Sequence, residues 1–366
     1  MLTDRPLRID VLVNSPGPHD QVRIRDPFSA LQRLGVDCRI HERPFRFSSC
    51  IRPHSLVIWQ RPLPESRQRQ WEHLQWLRQR GCLLLTEWDD HPSLFPEAIR
   101  AALSAMALAP LGLCHGLHTS SARLALELRR IQPLALVLDN HVNAITPLDL
   151  AKHAAPHLRV LVANQNRGAE HQQISSALAQ WAKADGQLQV VVVADRELAQ
   201  RIPPNQLEYH PSLGYTAYRA VLRSCQIALL PLARGVANGC KTPIKLLECG
   251  AESVAVVCGP ELYGRYAPLG VARMAPSLEA VVPMAQTLAG DLEQRLQQVS
   301  NAHAWVSRQW RLRDDLPSRL WLYGQIWKRR HQLDQRMVER LKKDGTLPTM
   351  QEAEFGREAD SRSQAG

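Results

Sequence analysis

Three charged side chains in the second half of the chain have the spacing of a phosphate site. A helix over Pro243–Ala251 would carry Lys245 and Glu248 one turn apart, with Lys241 just before its start. The apolar run Ile227–Leu232 precedes them, followed by a loop of small and polar residues over Ala233–Thr242. A second apolar run, Val254–Cys258, follows and ends at Gly259-Pro260. Strand, loop, helix and strand in that order predict a parallel βαβ unit. Two cations and a carboxylate at the C-terminal edge of its first strand would cradle a nucleotide diphosphate. The same residues also suit an ordinary crossover with solvated lysines.

Two further clusters stand at the ends of apolar runs. The run Leu158–Ala163 leads into Asn166, Arg167 and Gly168, with a helix expected from about Glu170. An arginine fork binds phosphate oxygens in pairs, and a helix N-terminus can aim its N–H groups at the same anion. A surface arginine on a βα loop is the alternative. The run Cys82–Glu87 leads into Trp88-Asp89-Asp90-His91-Pro92. Acids and imidazole at a strand's C-terminal edge lie where α/β proteins bind ligands. They equally suit an N-cap and turn before a helix at Pro96. The loop Ser15–Asp20 follows the first strand, and Gly17 would let its backbone approach a ligand closely, or would simply make a turn. Arg23 and Arg25 follow it.

The elements that must position these residues alternate along the chain. Strands are expected at Leu7–Asn14, Asp37–His41, Ser55–Gln60, Cys82–Glu87, Gly112–Thr119 and Ala135–Leu138, with helical patterns between them. After a connection near residue 150 the pattern repeats. Strands are expected at Leu158–Ala163, Leu188–Ala194, Leu207–His210, Ile227–Leu232, Val254–Cys258 and Val271–Met274. The fold class is therefore α/β, with two Rossmann-like parallel-sheet domains, 1–150 and 151–300, facing a cleft. Asp291–Lys343 reads as long helix anchored by Trp305, Trp310, Tyr323 and Trp327. These large apolar anchors suit packing between domains. The polar tail 346–366 shows no apolar periodicity and is expected to be disordered.

Composition narrows the function. At 366 residues, 45% hydrophobic and 22% charged, the chain is expected to be a soluble globular protein. Its eight cysteines form no C-x-x-C pair and several lie in apolar runs, which predicts buried, reduced thiols. No basic-plus-apolar signal segment opens the chain, so the cytoplasm is the expected compartment. The net charge of +10 is spread through helices among acids, which argues against a nucleic-acid partner. It suits an anionic donor or the headgroups at the inner face of a membrane, where peripheral association is expected.

The segment from Leu230-Pro231-Leu232 through Asn238, Lys241, Thr242, Lys245 and Glu248 to Gly259-Pro260 and Tyr263 resembles the donor-sugar motif of GT-B glycosyltransferases. The likeness is to family 4 and the related group 1 domains, whose segment reads N-x-x-K-S-x-x-K-x-x-E. It covers the second half best, over about Leu158–Tyr266. It implies a retaining transferase with no essential metal and no cofactor, the nucleotide-diphosphate sugar being a substrate, and C-terminal helices over 301–345 that pack back on the first domain. A glycan, lipid-linked or small-molecule acceptor is implied, in surface polysaccharide or glycoconjugate synthesis. On this resemblance Gly17, Asn166, Arg167, Asn238, Lys241, Lys245 and Glu248 hold the donor, with Glu248 on the ribose. Asp90, His91, Arg167 and Lys245 are the catalytic group, with Asp90 and His91 orienting acceptor or donor. Two departures stand out. The first glutamate of the family's E-x7-E pair falls at Cys240, and the places of a usual lysine after Arg167 hold His171, Gln172 and Gln173. A non-catalytic nucleotide-sugar binder and a nucleotide-sugar epimerase are the alternatives.

Overall fold

The structure, a computed structural model, describes residues 6–163 and 168–343. Its first sheet holds β1 (Arg8–Val13), β2 (Asp37–Glu42), β3 (Leu56–Gln60), β4 (Leu83–Glu87), β5 (Gly116–Thr119) and β6 (Ala135–Val137). Its second sheet holds β7 (Leu158–Val162), β8 (Leu188–Val193), β9 (Leu207–His210), β10 (Ile227–Leu230), β11 (Ala255–Cys258) and β12 (Arg273–Met274). The spatial orders are β2-β1-β3-β4-β5-β6 and β12-β11-β10-β7-β8-β9. Strand pairs such as β1 with β3 and β7 with β10 run parallel. The central strands β3, β4, β10 and β11 are buried along their whole length, because helices cover both faces of each sheet.

Each order reverses once, between β1 and β3 and between β7 and β10. At such a reversal the neighbouring crossovers leave on opposite faces, opening a crevice beyond the carboxyl ends of the strands. Asn14, Gln60, Ala163 and Pro231 stand at these crevices.

Several expected elements differ in extent: the run Val271–Met274 is strand only over Arg273–Met274, and Ile227–Leu232 only to Leu230. The run Gly112–Thr119 is strand only from Gly116, because Pro110 sits in the first turn of a short helix over Ala109–Gly112. The single long helix expected over Asp291–Lys343 is three helices, Leu292–Gln309, Leu312–Lys328 and Arg330–Lys343. The first break falls where the chain leaves the second sheet. The Val142 amide donates to the Trp310 carbonyl at 2.9 Å, and the Leu312 amide to the Val142 carbonyl at 2.9 Å. Residues 301–309 therefore remain on the second half, where Ala302, Trp305 and Val306 join its core. From Leu312 onward the helices lie on the first half. Leu312, Leu316, Tyr323 and Trp327 complete the core beneath β1, β3 and β4, and Met337 and Leu341 reach its other face.

Cys50 is half-buried, the other cysteines are buried, and all are free thiols. Among the described residues no helix is long and apolar enough to cross a membrane. The tail 346–366 lies outside the described residues.

Candidate functional site

The carboxyl ends of the two sheets face a shared cavity of about 660 Å³, within the usual size range of small-molecule sites. On the first-half wall, Gln60 closes the crevice between β1 and β3. Its Oε1 accepts from the amides of Asn14 and Ser15, each at 3.1 Å. Arg61 follows in the left-handed region, with φ 44°, so its side chain leaves the strand line. Its guanidinium grips Asp89 with two bonds of 2.7 and 2.6 Å and reaches Asp90 at 3.4 Å. Arg23 lies behind this pair, in contact with Asp89 and 3.5 Å from Glu87.

Burial dominates the electrostatics of this wall. It pushes the Glu87 carboxyl upward, against the pull of Arg23 and Arg61. Burial and the neighbouring Arg23 lower Arg61 to about 10, which leaves it charged at neutral pH. His19, 3.4 Å from the Gln60 amide nitrogen, is lowered to about 3 by burial and then by Arg61 and Arg23, and so stays neutral. Burial opposes the charge of Asp90 too, but Lys241 and Arg61 outweigh it and hold the carboxyl below its ordinary range.

The second-half wall is the helix Ile244–Ala251 with the loop before it. Glu248 is only 2% exposed, and its Oε2 accepts from the Tyr218 hydroxyl at 3.1 Å. Lys245 is one turn earlier on the same face. Its Nζ lies 3.4 Å from Glu248 Oε2 and 3.8 Å from the Tyr218 ring centroid, a cation–π contact. Burial and the Glu248 charge push the Tyr218 hydroxyl well up, so it remains a donor. Two bonds span the cavity. Lys241 Nζ donates to Asp90 Oδ1 at 2.5 Å, and Asn140 Nδ2 donates to Thr242 Oγ1 at 2.9 Å.

The structure brings Asp90, Lys241, Lys245 and Glu248 together around the cavity. It places the other expected residues differently. His91 does not line the cavity; its Nδ1 accepts from the Ser93 amide at 3.3 Å and caps the turn Pro92–Leu94. The N-cap alternative for this residue is the one observed. Gly17 does not line it either, although Ser15, Pro18 and His19 around it do. A Cβ at Gly17 would come within 2.9 Å of the His19 ring, so the close approach it permits is to that imidazole. Asn238 works inside the motif loop, donating to Glu170 Oε1 at 3.1 Å and to the Ala233 carbonyl at 3.0 Å. It thereby ties the loop to the helix Gly168–Ala184. Arg167 and Asn166 lie outside the described residues, between Ala163 at the cavity and that helix. Arg25 turns away to Asp20 and Glu42. Among the described residues, no three His, Cys, Asp or Glu side chains group as metal ligands would.

Cys240 is fully buried, but among apolar residues of the first half, including Trp88, Leu117 and Leu124. Burial raises its thiol to about 11. It packs in the contact between the halves and does not line the cavity. Residue-by-residue reading missed Arg61, Asn140, Tyr218 and His19. Arg61 carried a usable signal, since it directly follows a predicted strand. Tyr218 carried none, because only the packing of its helix against Ile244–Ala251 brings it to Glu248.

By sequence, no protein-family model and no curated protein matches the chain. Solved structures do match by fold. HepE from Anabaena in complex with UDP and glucose aligns at TM-score 0.57 and 14% identity, over 92% of this chain and 99% of that one. The α,α-trehalose 6-phosphate synthase of Burkholderia multivorans aligns at TM-score 0.55 and 11% identity, over 88% and 99%. TarM of S. aureus, in a complex that includes UDP, aligns at 0.51 and 10%, over 74% and 55%. At these identities the likeness is one of fold: two Rossmann-like halves facing a cleft, the GT-B fold.

Proposed function

We propose that this protein is a glycosyltransferase that moves a sugar from a nucleoside-diphosphate donor to an acceptor hydroxyl, with retention at the anomeric carbon. The observation that carries this reading is the convergence of both sheets on one cavity. Lys245 and Glu248 stand on one wall, Asp90 on the other, and Lys241 reaches between them. The family 4 or group 1 affinity rests on the motif around these residues. The complexes of HepE with UDP and UDP-glucose make uridine donors the first to test.

In this reading the bond from the anomeric carbon to the β-phosphate oxygen breaks, and its electron pair stays on the phosphate. Lys241 and Lys245, with Arg167, offset the growing charge, the role that preorganised donors play in transferase sites. Glu248, fixed by Tyr218, accepts from the ribose hydroxyls. Asp90, held ionised by Lys241 and Arg61, orients the acceptor hydroxyl as its oxygen bonds the anomeric carbon. The hydroxyl proton passes to the departing phosphate on the same face, which gives retention. The products are the glycoside and the nucleoside diphosphate, in the setting of polysaccharide or glycoconjugate synthesis.

Calorimetric titration with a panel of nucleoside diphosphates and their sugars tests this. One base should bind selectively, and Glu248→Ala and Arg167→Ala should each weaken it about tenfold or more. Product analysis should show a glycoside of unchanged anomeric configuration. Absence of binding by every nucleotide would remove the donor site.

A further inference from the structure

The second-half wall of the cavity mixes Lys241, Thr242, Lys245 and Glu248 with apolar residues such as Leu213 and Ile244, and the first-half wall carries, beside Arg61, Asp89 and Asp90, a run of four apolar residues, Leu63, Leu94, Phe95 and Ile99. These come from the loop after β3, the turn Pro92–Leu94 and the start of the helix Glu97–Ala105. Leu63, Phe95 and Ile99 pack on the buried cluster of Trp88, Leu103 and Leu111, yet each remains partly exposed. The result is an apolar shelf inside a ligand-sized cavity, where covering it would remove apolar surface from water.

The shelf begins where the polar cluster ends. The Arg61 guanidinium carbon lies 5.2 Å from the Phe95 ring centroid, while its nitrogens hold Asp89 and Asp90. A group on the shelf is therefore beside the carboxylate that the proposed reaction uses. Trp88 also lines the cavity, and its buried indole N–H meets no acceptor among the described residues. A bare sugar presents hydroxyls around its whole edge, and the four shelf side chains offer them no partner. Burying hydroxyls there costs free energy, whereas an alkyl chain or a ring gains it.

Resting on the glycosyltransferase reading, we infer that the acceptor is amphipathic. Its reacting hydroxyl lies at Asp90, and an apolar group next to that hydroxyl lies on Leu63, Leu94, Phe95 and Ile99. The apolar group comes from a lipid chain or an aromatic aglycone.

Calorimetry on the full chain with matched methyl, octyl and phenyl glycosides of glucose, galactose and mannose, below micellar concentration, tests this without requiring turnover. In at least one sugar series the octyl or phenyl glycoside should bind about tenfold more tightly than the methyl one. Phe95→Ser and Ile99→Ser should each reduce that gain and leave nucleotide affinity near that of the unaltered protein, while each lowers the melting temperature because it trims packing on the Trp88 cluster. A larger gain for octyl names a lipid source, and a larger gain for phenyl names an aromatic one. The inference is overturned if no series gains from the apolar group, or if the gain survives in both variants. Failure of nucleotides to bind would strike the donor reading separately, since the glycoside titrations do not depend on it.

Discussion

The buried histidines give this protein a pH signature independent of its chemistry. His118 is fully enclosed, its Nε2 2.8 Å from the Tyr323 hydroxyl, and burial followed by Arg319 and Arg23 lowers it to about 3. His153 is lowered to about 4, again chiefly by burial. In the unfolded chain a histidine takes up its proton near 6.5. Between that value and 3 to 4 the unfolded state binds protons that the native state refuses. Stability is complete above the unfolded pKa and falls as pH drops through this window. From pH 7.5 to 5.5 each such histidine should remove about 1 kcal/mol. Melting temperatures across this range test it. His118→Gln should flatten the slope, and an unchanged slope would show that His118 is protonated in the native protein. His19, lowered to about 3 in the cavity, is likewise neutral at working pH, so a kinetic limb near 6.5 would not come from it.

At the scale of elements, the helix Arg330–Lys343 is held to the first half by a polar clasp as well as by its apolar face. Arg78 donates to Asp334 through bonds of 2.6 and 3.0 Å, and His115 Nε2 lies 3.1 Å from the same carboxylate. Burial works against the Asp334 charge, but His115 and Arg78 hold its carboxyl well below the usual range. The clasp is thus present at neutral pH and is lost only as acid protonates Asp334 through that depressed value. Asp334→Ala should cost about 1–2 kcal/mol after allowance for the partial exposure of both partners. Faster amide exchange should appear first in Arg330–Lys343, and unchanged exchange there would remove the clasp from the account. Nothing in the local sequence announces Asp334, because its partners lie more than two hundred residues away. The strands were legible for the opposite reason. A strand buried on both faces is a continuous apolar run, as LVIWQ in β3 and LLLTE in β4 show. Lys245 and Glu248 were legible because one helical turn fixes their relation, and Lys241 because it lies just before that helix. The break at Trp310–Arg311 was not, since it depends on pairing with Val142 across the chain. Past the end of β4 the His91 imidazole caps the turn Pro92–Leu94, a placement that its sequence position alone does not decide.

The two halves meet through the loop before the helix Ile244–Ala251. Beside the Lys241–Asp90 and Asn140–Thr242 bonds, Arg123 reaches Glu261 at 3.4 Å, and Glu261 also accepts from the Gly235 amide at 3.0 Å. Cys240 is 0% exposed among Trp88, Leu117 and Leu124 of the first half. Cys240 thus joins the halves by an apolar contact beside the polar bonds of Lys241 and Thr242 on the same loop. The first glutamate of the E-x7-E pair of the resembled family falls at this position, so Cys240→Glu separates two readings of the loop. If the position belongs to the interface, a carboxyl there is buried without a partner and costs on the order of 3 kcal/mol. The melting temperature should then fall by roughly 5 °C or more, and small-angle scattering should show a larger radius of gyration as the halves part. Nucleotide affinity should survive, because Lys245 and Glu248 belong to the second half alone. If the variant instead keeps its melting temperature and gains affinity for a nucleotide sugar over the bare nucleotide, the side chain reaches the donor, and the interface role of Cys240 fails.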